Sequence, residues 1–358
     1  MFPSVTTSPN FLTWLKVPAK CGGVRHYNGS TCKVGERLLH CWRMEDATGK
    51  STLWLGQVDA KGKLSKCKEL VADPAYDAED PRLFIVGDSL RLMWSKVRDT
   101  RHACGSWNVV MMLSYLDPSS LAVISSAEVE LPGIRSRSCE KNWTPLPDGG
   151  WLYDIPAGVS VTADGRLIRN RPWEYPWGSF SGSSPAIPFP ECKTWLMFFH
   201  GFQPHPSRHK RYYFGAAEID PATHKVLRLS RTPLVFSSEE DPTIVCPRCA
   251  AYNPSVVFPA GLVREAGGRW FVSGGVHDSR DAWWSFSTED LQLVPLKEAL
   301  DTNRLLVHPG AVPPAGYVHV RVISPRPIHE HGTTWLPGDV FQTLPSRAAA
   351  LAGYVEVL

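Results

Sequence analysis

The sequence has no long apolar run, no block of like charge and few uninterrupted stretches in which a helix could grow. Nothing approaches the roughly 18 consecutive apolar residues read as a membrane-spanning helix. The 38 basic and 35 acidic residues leave a net charge of only +3, without a cluster of one sign. That removes the electrostatic case for a nucleic-acid partner or a membrane surface. No Gly-rich dinucleotide or phosphate-loop signature is present. Residues 1–18 carry neither a basic start nor an unbroken apolar run, so no signal peptide is expected. The nine cysteines are scattered and odd in number, and read as reduced thiols of a cytoplasmic protein. Cys246 and Cys249 have zinc-ligand spacing, but no second pair accompanies them. Neither a metal nor a cofactor is expected.

What is abundant is proline, glycine and tryptophan. The 31 prolines and 28 glycines cut the chain into short elements, which favours an all-β architecture over long helices. Over 358 residues, 43% hydrophobic content can fill a sizeable core. The 14 tryptophans suit sugar binding, because pyranose C–H faces stack on aromatic rings. They suit packing between sheets equally well.

A repeated grammar runs along the chain: a polar loop, a strand, a Gly or Asp turn, an aromatic strand and a return strand. It begins at Arg25–Ser30 with the runs 37–43 and 51–59. It recurs at Glu79–Asp117, at Cys139–Ile155, at Ser181–Asp220 and at Asn253–Thr288. Five degenerate units at roughly 45–70 residue spacing are the signature of a β-propeller, in which neighbouring blades cover faces that no single sheet can bury. The expected organisation is a lead-in over 1–24, a five-bladed β-propeller over 25–315 and a short C-terminal appendage over 316–358. In the appendage an alternating strand is expected at Tyr317–Ser324 and a short helix at Ala348–Ala352.

In such a ring the loops leading into the innermost strands converge on one end of the central channel. Arg25–Ser30, Glu79–Arg82, Glu140–Trp143, Ser181–Pro185 and Asn253–Gly261 therefore face one another. The richest of them is Glu79-Asp80-Pro81-Arg82, two carboxylates, a stiffening proline and an arginine where a polar loop enters an apolar strand. Ordinary turn chemistry before a strand is the plainer account of the same residues. Glu140-Lys141-Asn142-Trp143 reads either as a sugar clamp, with Trp143 as platform and Lys141 and Asn142 bonding hydroxyls, or as a salt-bridged blade junction. His205–Arg211 reads either as a solvated basic loop or as a contact for a phosphate group.

Together, Glu79-Asp80-Pro81-Arg82, Tyr27–Ser30 followed by Arg43, Phe199-His200-Gly201 followed by Tyr212–Ala216, and Val256–Gly261 followed by Gly275–Asp278 resemble glycoside hydrolase family 130. The resemblance covers about 25–290. That family consists of five-bladed propellers that cleave or transfer β-mannosides, mostly as inverting phosphorylases with some hydrolases, and a related glycosyltransferase family 108 shares the fold. The resemblance implies Asp80 as catalytic acid, oriented by Arg82. It also implies a substrate site drawn from Arg25, Asn28, Arg43, Glu79, Lys141, Asn142, Trp143, Asp154, His200 and Tyr212. An acid must be protonated yet near ionisation, and burial of Asp80 beside Glu79 is expected to raise its pKa accordingly. The chain departs from the phosphorylases where they hold phosphate. Tyr153–Pro156 lacks their arginine and Pro185–Pro188 their lysine, leaving His200 and Tyr212, supplemented by Arg135, Arg137 or Lys141.

An inverting hydrolase instead needs a second carboxylate about 6.5–9.5 Å from the acid to activate water. Glu140, Asp154 and Asp278 are the candidates, and each reads equally well as a structural carboxylate pairing Lys141 or a backbone turn. The expected function is inverting glycosyl transfer from a β-mannoside-like oligosaccharide or glycoside to water, a sugar or another hydroxyl, in preference to phosphate; inorganic phosphate or a phosphorylated sugar is the further partner considered. The competing expectation is a non-catalytic carbohydrate-binding propeller.

Overall fold

The computed structural model describes residues 10–71, 73, 75–99, 108–131, 141–204, 210–237 and 256–305, and short strands between 318 and 357. Five antiparallel sheets follow one another along the chain, as the repeat predicts. Blade 1 is Arg25–Val34, Arg37–Glu45, Ser51–Val58 and Leu64–Val71. Blade 2 is Asp77–Val86, Ser89–Asp99, Asn108–Leu116 and Val123–Glu128. Blade 3, the smallest, is Thr144–Pro145, Trp151–Asp154, Val159–Val161 and Leu167–Arg169. Blade 4 carries Ser179–Gly182 and Ile187–Phe189 side by side on Thr194–Pro204, then Lys210–Ile219 and Val226–Ser230. Blade 5 is Val257–Arg264, Trp270–Val276 and Arg280–Phe286.

The core lies in the seams between blades, because each sheet has two apolar faces and only a neighbour can cover them. Leu39, Leu53 and Leu55 of blade 1 meet Leu83, Leu92 and Trp94 of blade 2. Phe84, Met93 and Met111 meet Trp143 and Tyr153 of blade 3. Leu146 and Leu152 meet Phe180, Met197 and Phe199 of blade 4, and Phe198 and Phe214 meet Trp270, Trp284 and Phe286 of blade 5. Trp283 of blade 5 closes on Trp42 and Met44 of blade 1. Each fully buried aromatic of this kind contributes about 1.5–3 kcal/mol.

Strands distant in sequence complete two blades. Phe11–Trp14 is the fourth strand of blade 5, with Phe11 opposite Trp284 and Trp14 opposite Ala282. The expected irregular lead-in over 1–24 is corrected here. Four residues are too few for alternation to be read, and only the exposed edge of Arg280–Phe286 gives them a partner. Leu293–Pro295 likewise returns to the edge of blade 4 beside Val226–Ser230, and the helix Leu296–Leu305 follows it. Beyond the ring, Val318–Val322 pairs with Val340–Thr343 and Val355–Val357. The short helix expected at Ala348–Ala352 lies outside the described residues.

The inner strands share one irregularity. Register slips in blade 1 between Tyr27 and Ser30, in blade 2 between Glu79 and Arg82, and in blade 5 between Pro259 and Gly261. Blade 4 breaks its inner strand between Gly182 and Ile187, and in blade 3 a left-handed Asn142 precedes a two-residue strand. Bulges of this kind re-aim side chains. Here they turn polar residues toward the axis, where the inner strands of blades 1, 2 and 5 approach one another and Thr194–Pro204 of blade 4 meets the inner strand of blade 5.

Trp143 does not stand at that axis. It is only 2% exposed and packs edge-on against Tyr153 at 5.4 Å, within the blade 2–3 seam. The sugar-platform reading is corrected accordingly: an apolar seam needed a large side chain more than a polar channel needed a ring. Trp143→Ala is expected to cost about 3–5 kcal/mol in urea unfolding, where loss of a solvent-facing platform would stay within about 0.5 kcal/mol.

Candidate active site

The second-blade bulge carries the polar centre of the ring. Asp80 sits at φ 49°, a left-handed backbone that aspartate tolerates better than most residues. Its Oδ1 accepts a hydrogen bond from Asn28 Nδ2 at 2.9 Å, from blade 1. Asn28 has a left-handed backbone too, at φ 55°. Glu79, beside it, accepts from Arg43 of blade 1 at 2.7 Å and from Lys141 Nζ, leading into blade 3, at 3.0 Å. Arg82 is completely buried. It donates from Nε to the Ser183 carbonyl of blade 4 at 2.7 Å and from Nη1 to the Asp80 carbonyl at 2.9 Å. A longer contact of 3.4 Å joins Nη2 to Asn142 Oδ1, and the guanidinium lies 5.6 Å from the Phe258 ring of blade 5.

A second layer supports these groups. Arg43 donates from Nε to Ser51 Oγ at 2.8 Å and lies over the Tyr27 ring at 4.8 Å. The Tyr27 hydroxyl donates to Glu45 Oε2 at 2.7 Å, and Arg25 bonds the other Glu45 oxygen at 3.0 Å. On the blade 4 side, His200 Nδ1 is 2.6 Å from Ser183 Oγ, and its ring stacks with Tyr212 at 6.2 Å and tilts over Phe258 at 4.8 Å. Burial pulls the His200 imidazole down to about 3, and nearby Arg82 adds to this, so the ring is neutral at ordinary pH.

The charge balance reverses one expectation. Burial works against ionisation of Asp80, but Lys141, Arg43, Arg82 and the Asn28 bond outweigh it and hold the carboxyl below the usual range. Burial opposes ionisation of Glu79 as well, and Arg43 and Lys141 again prevail, although Asp80 pushes the other way. Adjacency to Glu79 thus does not raise the Asp80 pKa. Cations interleave with the two carboxylates, and each carboxylate finds a positive partner. On Arg82 the balance differs: burial, opposed by Asp80, pulls the guanidinium down to about 10.

Of the residues expected from the sequence, Asn28, Arg43, Glu79, Asp80, Arg82, Lys141 and Asn142 are brought together in one network. Arg25 belongs to its outer layer, and His200 and Tyr212 flank it. Lys141 and Asn142 serve the blade-junction role, spanning blades 2 and 3. Asp278, half-buried at φ 48° in a turn of blade 5, acts electrostatically on Arg43 and Tyr27. Asp154 ends the strand Trp151–Asp154, opposite Val159, and its Oδ1 accepts the Ala157 N–H of the following turn at 3.1 Å. Glu140, Arg135, Arg137, the stretch 205–209 and the Cys246–Cys249 pair lie outside the described residues. Among the described residues no cluster of His, Cys, Asp and Glu could hold a metal ion, and no helix is long and apolar enough to cross a membrane. Sequence reading passed over Ser183, Tyr27 and Glu45 as site residues. The Ser181–Pro185 run and the Tyr27–Ser30 loop were signals for the first two, while Glu45 lay in an unremarkable polar turn. A cavity of about 210 Å³ at the blade 1–5 seam, lined by Thr31, Lys33, Leu38, Phe271 and Trp283 among others, contains none of these groups.

No protein-family model and no curated protein matches the chain. Solved structures do. A β-1,2-mannobiose phosphorylase from Listeria innocua, solved with β-1,2-mannobiose, is 17% identical over 78% of this chain and 92% of its own, with a TM-score of 0.52. A Bacteroides thetaiotaomicron protein classed as a glycosidase is 15% identical over 80% of this chain and 94% of its own, also at 0.52. The chain shares their fold. The all-β propeller implied by the resemblance to glycoside hydrolase family 130 is therefore the observed architecture, and neither of these neighbours is described as a glycosyltransferase.

The two depressed carboxyls carry a pH signature. In the unfolded chain they titrate near 3.9 and 4.3, and in the fold lower, so the stability they contribute is complete above those values and is lost as pH falls through the folded pKa values. Urea unfolding at pH 7, 4 and 3 is expected to show that loss. Lys141→Met, less stable at pH 7, is expected to lose less on acidification because one of the depressing charges is gone.

Proposed function

We propose that this chain is a carbohydrate-active enzyme that transfers a glycosyl group, with inversion, from a β-mannoside-like substrate, with Asp80 as the proton-handling residue. The observation that carries the reading is a carboxylate on a bulge at the propeller axis, held in a left-handed backbone and bonded or ion-paired, through its immediate neighbours, to the surrounding blades. The fold shared with a mannobiose phosphorylase supports the choice of sugar. In the reaction the bond from the anomeric carbon to the leaving oxygen breaks, that oxygen gains a proton, and an acceptor attacks the opposite face. Arg82 spends its described donors on the Ser183 and Asp80 carbonyls and on Asn142, which suits it to holding Asp80 in place.

The resting carboxylate must gain a proton before it can give one. Substrate binding that excludes water or draws Lys141 or Arg43 onto sugar hydroxyls would raise the Asp80 pKa toward that state. Among acceptors, water or a hydroxyl is favoured over phosphate, since the arginine and lysine of the phosphorylases have no counterpart at Tyr153–Pro156 and Pro185–Pro188. Asp278 is the described carboxylate assigned to activate water, because it acts electrostatically on Arg43, a partner of Glu79 beside Asp80. The same ionised Asp80 favours a second reading, a non-catalytic carbohydrate-binding propeller in which it only accepts hydroxyl bonds.

Incubation with a panel of β-mannosides, with and without inorganic phosphate, is expected to release inverted free sugar or a transfer product by NMR, and Asp80→Asn to lose at least a hundredfold in rate. Sugar 1-phosphate formed only with phosphate present would establish phosphorolysis instead, and binding without turnover would favour the second reading. Because the free enzyme must be protonated at a depressed carboxyl, kcat/KM is expected to fall with rising pH above the Asp80 pKa. In Lys141→Met that fall should begin at higher pH.

A further inference from the structure

Register in blade 1 slips between Tyr27 and Ser30, which takes Asn28 and Gly29 out of the ladder with Arg37–Glu45. Both are addressed from blade 5, across the seam where the ring closes. The Gly29 N–H donates to Asp281 Oδ1 at 2.7 Å. Asn28 lies against Gly275, where a Cβ would sit 1.9 Å from Asn28 Oδ1. Gly275 and Asp281 are directly opposite each other in their sheet, so one cross-strand pair of blade 5 serves the whole bulge. Behind it, His40 Nε2 is 3.2 Å from Asp281 Oδ2 and His40 Nδ1 is 2.9 Å from Thr31 Oγ1. A ring that donates from Nε2 to the carboxylate accepts from the Thr31 hydroxyl. Asp281 and His40 are both buried, and neither belongs to the network of Asp80 and its cations.

We propose that Asp281, backed by His40, is a positioning residue for Asp80: by holding the Gly29 N–H it fixes the left-handed Asn28, whose amide is the hydrogen bond that Asp80 accepts. The inference deepens the enzymatic reading of Asp80 and rests on it for its functional meaning. Its geometry does not depend on any substrate. Among the described residues, the charged and titratable groups around Asp80 are Lys141, Arg43, Arg82, Glu79 and His200, and those acting with Asp281 are His26, His40 and Cys41. A bond to the ionised carboxyl lowers its pKa, so releasing Asn28 raises it.

Removing Asp281 also removes a negative charge, and two variants separate the effects. Asp281→Asn loses the charge but keeps an oxygen for the Gly29 N–H, with His40 changing tautomer to meet the amide. Asp281→Ala loses both. In the full chain with 13C-labelled aspartate, the Asp80 carboxyl assigned by its absence in Asp80→Asn is expected to titrate about one unit higher in Asp281→Ala than in Asp281→Asn. Equal titration in the two would overturn the proposal. If Asp281→Ala does not fold, the wild-type Gly29 amide gives the answer: it should be downfield and protected from exchange, and rapid exchange would refute the link. Where a glycoside is cleaved, the alkaline limb of kcat/KM should move up by the same interval. Failure to cleave any glycoside would count against the enzymatic reading while the carboxyl titration still decided this one.

Discussion

The guanidinium of Arg82 is a charge with no access to water, and the ring is arranged around that fact. Desolvating a cation costs several kcal/mol unless its donors are met, and here they are met from blades 2, 3 and 4, with the Phe258 face of blade 5 beside it. Glu79 and Asp80, three and two positions earlier, reach back to blade 1 and across to the lead of blade 3. One tetrapeptide therefore connects to all five blades. Displacing blade 1, 3 or 4 would strand a buried charge, so the network that could do chemistry also fixes how the blades converge.

Its position depends on irregular backbone held by regular surroundings. The aromatic seams are dense and apolar, and they hold the sheets rigidly enough for the inner strands to bulge without unravelling. Asn28, Asp80 and Asn142 take the left-handed conformation at those bulges, and all three end in the same hydrogen-bonded cluster. Asparagine and aspartate suit such positions twice over. They tolerate the backbone, and their short polar side chains reach a neighbour in the next blade.

Electrostatics gives the site its resting state. Two adjacent buried carboxylates without cations would share a proton, and one would titrate high. Three cations among them remove that need, and the neutral His200 on the far side adds none. The two carboxyls are thus held as hydrogen-bond acceptors, and a proton reaches Asp80 only on acidification or when the surrounding charges change.

The sequence by itself determined the architecture and the location of the polar centre. Strand alternation, turn residues and the spacing of polar loops are local signals, and they marked five blades and singled out Glu79–Arg82 before any contact was known. Partnership is not local. Whether Trp143 faced a sugar or a seam, whether Phe11–Trp14 was loose or completed blade 5, and whether Glu79 raised or Lys141 lowered the Asp80 pKa each turned on a neighbour from elsewhere in the chain. Asp281, more than 250 residues from the Gly29 it holds, carried no sequence signal at all. Closing the ring brought such residues together, because burial and charge pairing are properties of the assembled seams and not of the strands that form them.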